Sequence, residues 1–498
     1  MAIAPFAARP AWAVPATGGI AIEGVEDSVD VTAYRIVAVN YDEGTLAPDD
    51  PMFTWAPDVQ SWVRQHFPSY IDDGGNVASG FNATLSDSGE LVDRRPAGEA
   101  AAFYDALASA ILSGEISLDN EGARTGNGTI ENLPLGGYLV LVDNGLKVYR
   151  PSATALIQSW SEESSSWAAP ETATITIKAS EVPIAKTVND QDSSAAQIGD
   201  TLSFDIVAAV PVYPSEAHTT SYAICDTLPA GLTIKQETLE VFGVKGDEET
   251  QLENGTHFVF DEDGHPEASF SMDFDYDLIS SFESIHVTYE ATLNGAAAVG
   301  PDGNVNTAHV EYANNPYDES SSVEKPDEAK VITYGLEILK VGDDETPLGG
   351  AEFGVSHAAD GSNPLSFVQE AAGVYHLASQ SESGTSTVSV AEDGTLKIKG
   401  LAAGEYYITE TKAPDGYLRL AAPLKAIVAD EDGDGALDGA SKTPGYAFLQ
   451  IQNTHGFTLP VTGGMGTTAI IAAGIILAAS GAAIWLAANR RAKEEKRH

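Results

Sequence analysis

The chain has one cysteine and few basic residues, and both shortages exclude classes of structure and partner. Cys225 is the single cysteine in 498 residues, so no intrachain disulfide can form and no cysteine-based zinc site is expected. Lysine and arginine total 26 against 73 aspartate and glutamate residues, giving a formal net charge of −47. Nucleic acid and anionic lipid attract cationic surfaces, so neither is an expected partner.

The sequence also lacks the motifs of common enzymes. Its ten histidines are scattered without metal-ligand spacing. It contains no glycine-rich phosphate loop and no nucleophile–base–acid constellation for hydrolysis. The sequence therefore predicts no cofactor, no metal site and no turnover enzyme.

Strand-forming patterns are abundant. Thr, Val, Tyr and Gly dominate many segments, and turn signals recur at short spacing, which favours an all-β fold of sandwiches. A chain of this length exceeds one hydrophobic core and predicts roughly three domains. The predicted units are a leader at 1–17, an N-terminal unit at 18–178, a middle unit at 179–329, a C-terminal unit at 330–455 and a tail at 456–498.

Three shorter segments refine this division. Residues 56–67 and 96–114 have apolar residues at three- and four-residue spacing, which predicts two helical insertions in the N-terminal unit. The stretch 318–329 is rich in Ser, Glu, Pro and Asp, which predicts a linker between the middle and C-terminal units.

Both ends of the chain resemble segments that target or anchor a protein at a membrane. Residues 467–488 are apolar and long enough to span a bilayer core, and the basic residues of 489–498 fit the cytoplasmic side. The sequence Ala11-Trp12-Ala13 has the small-x-small pattern of a signal-peptide cleavage site, without a basic leader or a full apolar run before it. We expect a secreted, surface-held protein with a C-terminal transmembrane helix in its precursor and a signal peptide that starts upstream.

Three predicted strands of the C-terminal unit each place one polar side chain in an apolar row. Side chains alternate faces along a strand, so every second residue shares a side. The three rows are Leu336, Ile338 and Lys340; Tyr406, Ile408 and Glu410; and Leu449, Ile451 and Asn453. Burying a charge is costly unless it is paired or neutralised, so Lys340, Glu410 and Asn453 are candidates for one shared interior site.

The middle unit repeats this arrangement. Its rows are Val182, Ile184, Lys186 and Val188; Tyr222, Ile224 and Asp226; and Asn306, Ala308, Val310 and Tyr312. Asn314 has the same parity as Asn306 but lies in a predicted turn, so Asn306 is the preferred candidate. In each unit we expect the lysine on the opening strand, the acid on a middle strand and the asparagine on the closing strand.

These residue types can react with one another. A buried lysine tends to be neutral and a buried carboxyl tends to be protonated. A neutral amine is a nucleophile, and a protonated acid can polarise the asparagine carbonyl and shuttle protons. The expected product is a Lys–Asn isopeptide bond, formed once with loss of ammonia.

The alternative for each cluster is a buried Lys–carboxylate salt bridge beside a hydrogen-bonded asparagine. Two complete sets in consecutive units favour the covalent bond. The N-terminal unit carries Arg35 in its opening strand, and its one lysine before Lys178 is Lys147, outside that strand. Because arginine is not deprotonated in proteins, no such bond is expected there.

Several of these segments resemble a known family. The sequence YYITETKAPDGY, 406–417, resembles the E-box of Gram-positive sortase-assembled pilins, and ILKVGDDETPLGGAEFGV, 338–355, resembles the opening of their Cna-B domains. DTLPAGLTI and NTAHVEY resemble their middle domain. The resemblance implies tandem immunoglobulin-like sandwiches of Cna-A and Cna-B type. It also implies that Glu410 promotes a bond between Lys340 and Asn453, and that Asp226 promotes one between Lys186 and Asn306.

A sorting motif precedes the apolar span. It consists of Leu459, Pro460, Val461, Thr462 and Gly463, which match LPxTG. The family resemblance implies that a sortase cleaves after Thr462 and transfers it to an amine of a peptidoglycan precursor or to a lysine of another pilin subunit. The candidate acceptor is Lys178, because Ile175 and Ile177 point to the opposite face of its strand. Thr-Ile-Lys stands where the family usually has Tyr-Pro-Lys.

The predicted function is a cell-wall-anchored pilus shaft subunit that supports adhesion. Its expected partners are pilin-specific and housekeeping sortases, further copies of the chain and a peptidoglycan precursor, while the sequence identifies no host ligand. The alternatives are an ancillary pilin or a monomeric LPxTG-anchored adhesin, and an anchored enzyme with its chemistry in the N-terminal unit.

One acidic segment resembles a calcium loop. Asp430, Asp432, Asp434 and Asp438 stand at positions 1, 3, 5 and 9 of such a loop, but Ser441 replaces the acid expected at position 12. An acidic hairpin loop is therefore favoured over a calcium site.

Overall fold

The computed structural model describes residues 16–456, apart from 82, 86–90, 171, 215, 263, 264, 266, 431–436 and 438–442. The sorting motif 459–463 and the candidate membrane span 467–488 lie outside the described residues, as does most of the leader. No helix within the described ranges is long and apolar enough to cross a membrane. The transmembrane helix therefore remains a prediction.

The N-terminal unit combines short strands with two helices. Its strands are β1 (Thr17–Glu23), β2 (Asp30–Tyr41), β3 (Pro48–Trp55), β4 (Ala83–Leu85), β5 (Leu91–Asp93), β6 (Gly122–Thr125), β7 (Gly128–Pro134), β8 (Gly136–Asp143), β9 (Val148–Tyr149), β10 (Ser152–Leu156), β11 (Ser159–Ser161), β12 (Ser166–Ala168), β13 (Ala173–Thr176) and β14 (Ala179–Ser180). The helices are α1 (Pro57–His66) and α2 (Ala97–Leu112), and two 3₁₀ turns lie at Pro68–Tyr70 and Ser79–Phe81.

Two sheets and a helical layer organise this unit. One sheet has the order β13-β1-β7, and the other has the order β10-β8-β2-β3 with β6 also paired to β2. Helix α1 begins at Pro57, where the missing N–H is unneeded, and Asp58 in the first turn complements the helix dipole. Trp62 of α1 packs near Phe103 of α2 in a separate aromatic core. Both helices lie where the apolar spacing predicts them.

The middle unit is a two-sheet β-structure. Its elements are β15 (Ile184–Val188), β16 (Ser193–Ala195), β17 (Thr201–Ala209), β18 (Tyr222–Thr227), β19 (Leu232–Lys245), β20 (Glu248–Gln251), β21 (Phe258–Asp261), β22 (Phe270–Phe274), the short helix α3 (Tyr276–Ile279), β23 (Ser284–Leu293), β24 (Asn304–Tyr312) and β25 (Val323–Ile332). The five-stranded sheet has the order β15-β17-β23-β19-β20, and the six-stranded sheet has the order β16-β25-β24-β18-β22-β21. Their inner faces contribute to one hydrophobic core.

Strand β25 corrects the sequence-based prediction of a linker at 318–329. It pairs with β24 along its length and with β16 at its C-terminal end. The early part of β25 alternates between half-buried and exposed polar residues, so it has no apolar row to mark it as a strand. Pro326 fits because β25 has only one neighbouring strand at that point. Asn306 therefore lies on the strand before the closing one.

The C-terminal unit also has two sheets. Its strands are β26 (Tyr334–Val341), β27 (Glu352–Ser356), β28 (Phe367–Ala371), β29 (Val374–Leu377), β30 (Val388–Ser389), β31 (Thr395–Leu401), β32 (Gly404–Lys412), β33 (Leu424–Val428) and β34 (Tyr446–Gln452). The sheet orders are β28-β29-β31-β26-β34 and β30-β27-β32-β33. The first and last strands, β26 and β34, are parallel neighbours. The prediction of an all-β chain with few helices is confirmed for the described ranges.

A single residue separates the middle and C-terminal units. β25 ends at Ile332 and β26 begins at Tyr334, so only Thr333 lies between the strands. Thr333 is buried, and its hydroxyl donates a hydrogen bond to the Leu401 carbonyl at 3.2 Å. The hydrophobic core continues through this junction.

Candidate functional site

The middle unit brings Lys186, Asp226 and Asn306 into one interior cluster. Lys186 lies on β15 of the five-stranded sheet, and the other two lie on β18 and β24 of the six-stranded sheet. All three side chains are buried, each with 1% or less of its surface exposed. The two sheets therefore meet at this polar cluster within an otherwise apolar core.

A tyrosine joins the three residues. Lys186 Nζ lies 2.5 Å from Asp226 Oδ2 and 3.2 Å from the Tyr289 hydroxyl. That hydroxyl donates to Asp226 Oδ2 at 2.8 Å and accepts from Asn306 Nδ2 at 2.6 Å. Tyr289 is thus the bridge between the acid and the amide.

Burial decides the protonation of this cluster. Loss of water lowers the pKa of the Lys186 ammonium, while the neighbouring Asp226 opposes that shift. Burial and the Asp226 charge raise the pKa of Tyr289 well above its ordinary value, so its hydroxyl stays protonated. The environment favours a neutral amine beside an amide.

The C-terminal unit gathers Lys340, Glu410 and Asn453. Lys340 lies on β26, and Asn453 directly follows its parallel neighbour β34, where its backbone N–H donates to the Val341 carbonyl at 3.0 Å. Glu410 comes from β32 in the facing sheet. The three residues are 0%, 2% and 1% exposed, respectively.

Glu410 holds the amide nitrogen of Asn453. Its two carboxyl oxygens lie 2.8 and 3.0 Å from Asn453 Nδ2, and the Leu420 backbone N–H donates to Oε2 at 2.7 Å. Asn453 Nδ2 also donates to the Leu418 carbonyl at 2.9 Å. The acid therefore contacts the nitrogen of the amide, where the sequence-based mechanism expected it to polarise the carbonyl oxygen.

Lys340 is buried without a close carboxylate in the described structure. Its Nζ donates to the Val341 carbonyl at 3.1 Å. Burial lowers the pKa of this lysine, and the charge of Glu410 acts in the opposite direction. As in the middle unit, the surroundings favour the neutral amine.

The two asparagines share one further property. Asn306 Oδ1 and Asn453 Oδ1 are buried and have no hydrogen-bond partner among the described residues. Buried polar atoms are normally hydrogen-bonded, so each of these amides is incompletely satisfied. A set of buried lysine, acid and under-satisfied amide is suited to acyl transfer from the amide to the amine.

The remaining candidates lie elsewhere. Asn314 Nδ2 donates to the Gly145 carbonyl at 2.6 Å, at a contact between the N-terminal and middle units. Arg35 lies beside Glu121, with 3.8 Å between Arg35 Nε and Glu121 Oε1. Lys178 is exposed between β13 and β14, while Ile175 and Ile177 are buried.

Two predicted motifs have little or no described structure. All five residues of the sorting motif, 459–463, lie outside the described residues, and so do Asp432, Asp434, Asp438 and Ser441 of the calcium-like loop. Asp430 is described, and its Oδ2 accepts a 2.5 Å hydrogen bond from the Tyr334 hydroxyl.

Tyr289 is the residue that sequence reasoning missed. It lies on β23, where every second residue is buried and Tyr289 follows Ile285 and Val287 in the inward row. A tyrosine there resembles an ordinary core residue. The feature that could have identified it is its hydroxyl, because a buried tyrosine hydroxyl needs a hydrogen-bond partner and therefore indicates polar groups nearby.

A family model described as "SpaA: Prealbumin-like fold domain" matches residues 335–442. This range contains Lys340 and Glu410 and ends before Asn453. It covers most of the C-terminal unit and about a fifth of the chain.

Two curated surface proteins are similar in sequence. The "Trypsin-resistant surface T6 protein" of Streptococcus pyogenes serotype M6 is 27% identical over 251 residues, covering 46% of this chain and 42% of that protein. "Fimbrial subunit type 2" of Actinomyces naeslundii is 25% identical over 350 residues, covering 62% and 59%. The chain thus spans less than two thirds of the length of these relatives.

A solved structure supports the same relationship at the level of fold. The T6 backbone pilin of serotype M6 Streptococcus pyogenes, described as a modular three-domain structure, matches with a TM-score of 0.56 and 20% identity. The match covers 88% of this chain and 98% of that one. The predicted resemblance is confirmed: the chain is a relative of the backbone pilins and fimbrial subunits of Gram-positive bacteria, which are structural proteins and not enzymes.

Proposed function

We propose that this chain is a shaft subunit of a cell-wall-anchored pilus, with one Lys–Asn isopeptide bond in its middle unit and one in its C-terminal unit. The observation that carries the proposal is the pair of buried Lys–acid–Asn clusters in consecutive units. The curated relatives that are named as fimbrial or surface proteins support the same reading.

The reaction in each unit is an amide exchange. The neutral lysine Nζ attacks the asparagine Cγ, a new C–N bond forms, the bond from Cγ to Nδ2 breaks, and Nδ2 leaves as ammonia. The proton that the amine gives up must reach the departing nitrogen. Asp226 and Glu410 are the proton carriers, because each is buried within its cluster, where Asp226 contacts the lysine amine and Glu410 contacts the amide nitrogen.

In the middle unit, Tyr289 completes this proton path. Asp226 contacts the amine, and the Tyr289 hydroxyl links Asp226 to Asn306 Nδ2. In the C-terminal unit, Glu410 reaches Asn453 Nδ2 directly. The step from the acid to the departing nitrogen therefore passes through a hydroxyl only in the middle unit.

Intact-mass spectrometry of the full chain tests both bonds. We expect a mass lower than that of the plain sequence by two ammonia molecules, and by one in Asp226→Ala or Glu410→Ala. Glu405→Ala is a matched control, because Glu405 lies on the same strand as Glu410 but is exposed, and it should keep both losses. A wild-type mass equal to the plain sequence mass would falsify the proposal of isopeptide bonds.

Polymerisation is the second part of the proposal. A sortase would cleave between Thr462 and Gly463 and join Thr462 to Lys178 of the next copy, while a housekeeping sortase would join the last copy to a peptidoglycan precursor. Exposure of Lys178 supports its role as the acceptor. The product would be a secreted fibre, covalently anchored at the cell surface and able to support adhesion.

Boiled detergent gels of wall extracts test this assembly. We expect a high-mass ladder from wild type, its disappearance in Lys178→Arg, and its persistence in Lys412→Arg, which alters another exposed lysine. A ladder that survives Lys178→Arg would assign the acceptor elsewhere. A single wall-linked band in wild type would instead favour a monomeric anchored adhesin.

A further inference from the structure

The outer face of the six-stranded sheet carries a second polar cluster, on the side opposite Asp226 and Asn306. Cys225 and His309 are direct cross-strand partners on β18 and β24. Each differs in parity from the inward residue on its strand, so both point away from the isopeptide cluster. Even so, Cys225 is 1% exposed and His309 is 9% exposed.

A second histidine joins these two residues. His265 belongs to the connection between β21 and β22, and its ring centroid lies 5.2 Å from that of His309. One ligand atom each from Cys225, His265 and His309 lies within 4.8 Å of the others. The three residues come from separate elements, so no local sequence spacing reveals them.

The imidazoles have unused nitrogens. His309 Nε2 and His265 Nδ1 are buried, and neither has a hydrogen-bond partner in the described part of the chain. A buried imidazole nitrogen normally finds a partner, so two such atoms in one cluster require an explanation. A bound cation would satisfy both.

Carboxylates lie beside the same cluster. Glu311 and Glu324 are direct cross-strand partners, and they form a second group of close ligand atoms with His265. The distance between His265 Nε2 and Glu311 Oε2 is 3.8 Å, and Glu311 Oε1 accepts a hydrogen bond from Ser322. Like charges placed opposite each other destabilise a sheet, and a cation nearby would offset that cost.

We propose that Cys225, His265 and His309 form a binding site for a zinc ion. Thiolate and imidazole are the ligands that Zn²⁺ prefers, whereas Ca²⁺ and Mg²⁺ prefer all-oxygen sites. Binding converts the Cys225 thiol to a zinc-bound thiolate and releases its proton to solvent. The Glu311 carboxylate faces His265 Nε2, with Oε2 at 3.8 Å, and so favours the ring orientation that leaves Nδ1 for the metal, while water fills the fourth position.

Such a site would fix the β21–β22 connection to strands β18 and β24. Those strands carry Asp226 and Asn306 on their other face, so the metal would hold the acid and the amide in register from outside the core. Metal binding and isopeptide formation have separate readouts, since the isopeptide bonds are detected by the loss of ammonia, so failure of one proposal is distinguishable from failure of the other.

Titration of the full chain with Co²⁺, after treatment with a chelator, tests the site. Thiolate ligation gives a sulfur-to-cobalt charge-transfer band, and we expect one equivalent to produce it and one equivalent of Zn²⁺ to remove it. Cys225→Ser should lose the band, and Glu311→Gln should bind about 10- to 100-fold more weakly. The matched control is His286→Gln, because His286 also lies between two acids, Asp205 and Glu249, and this variant should bind normally.

X-ray absorption at the zinc edge of the wild-type protein does not depend on any variant folding. One sulfur and two imidazoles in the first coordination shell are the expected result. Absence of stoichiometric binding, a cobalt complex without the charge-transfer band, or a zinc shell without sulfur would each overturn the proposal.

Discussion

The two buried clusters each combine a lysine, an acid and an asparagine, but different parts of the two-sheet structure supply them. In the C-terminal unit, Lys340 lies on β26, Asn453 directly follows the parallel neighbour β34 of the same sheet, and the acid comes from the facing sheet. In the middle unit, the lysine comes from one sheet and both partners come from the other. A bond in the C-terminal unit would join its first and last strands, whereas a bond in the middle unit would join its two sheets.

The contacts of the acids differ as well. Asp226 is bound to the amine of Lys186, whereas Glu410 is bound to the amide nitrogen of Asn453. In the proposed reaction, these contacts would be the beginning and the end of the same proton path. Both units thus bring three such groups together in a buried interior, although different strands supply them.

Removal of the acids should give the largest loss of unfolding free energy. Asp226→Ala and Glu410→Ala each prevent one cross-link that closes a loop of more than a hundred residues, which by analogy with a disulfide costs about 5 kcal/mol of unfolding free energy. We expect a larger loss for Asp226→Ala, because Lys186 then also loses its buried partner at 2.5 Å. Calorimetric unfolding measures this, with Glu405→Ala as control, and equal stability in all variants would contradict the cross-links.

In variants without the amides, the buried lysines should make the unfolding free energy depend on pH. In Asn306→Ala and Asn453→Ala the lysine stays free, with its native pKa below its unfolded value. Between those two values the unfolded chain binds more protons, so stability rises with pH by up to about 1.4 kcal/mol per unit. Denaturant unfolding from neutral pH to pH 10 checks the sign. A slope as flat as that of the cross-linked wild type would show that neither lysine is perturbed.

Tyr289→Phe should slow isopeptide formation in the middle unit but not in the C-terminal unit. Loss of the hydroxyl removes the bridge between Asp226 and Asn306, and we expect about tenfold slower bond formation in the middle unit, equivalent to about 1.4 kcal/mol. The C-terminal bond should form at its normal rate. Tyr406→Phe is the control, because this buried tyrosine donates to the Ala402 carbonyl instead. Time-resolved intact mass after synthesis measures both, and an unchanged middle-unit rate would exclude the relay.

Asn314→Ala should give the smallest loss of unfolding free energy. It removes the hydrogen bond to the Gly145 carbonyl at the contact between units, which is worth about 1 kcal/mol. Both ammonia losses should remain in its mass spectrum. Disappearance of one of them would make Asn314, and not Asn306, the partner of Lys186.

Much of the fold and of the two clusters could be predicted from the periodicity of apolar residues in the sequence. Two-residue alternation was enough to select the buried polar side chains of both clusters, because a lysine or carboxyl in an apolar row is conspicuous. Three- and four-residue spacing likewise located helices α1 and α2. These features are local, so a single sequence contains the required information.

The features that were missed depend on distant contacts or on weak local patterns. Tyr289 looks like a core residue until its hydroxyl is placed beside Asp226. Strand β25 has polar residues on both faces of its first half, so only its pairing with β24 reveals it. His265 and Cys225 are brought together by the order β24-β18-β22-β21, which no local pattern encodes.

The junction at Thr333 has a mechanical consequence. Tension applied to β26 passes through one buried residue into β25, which is hydrogen-bonded along its length to the strand that carries Asn306. The middle and C-terminal units would then turn together as one stiff segment, with no hinge between them. If copies are joined through Thr462 and Lys178 as proposed, bending at Thr333 would contribute little to the flexibility of the filament.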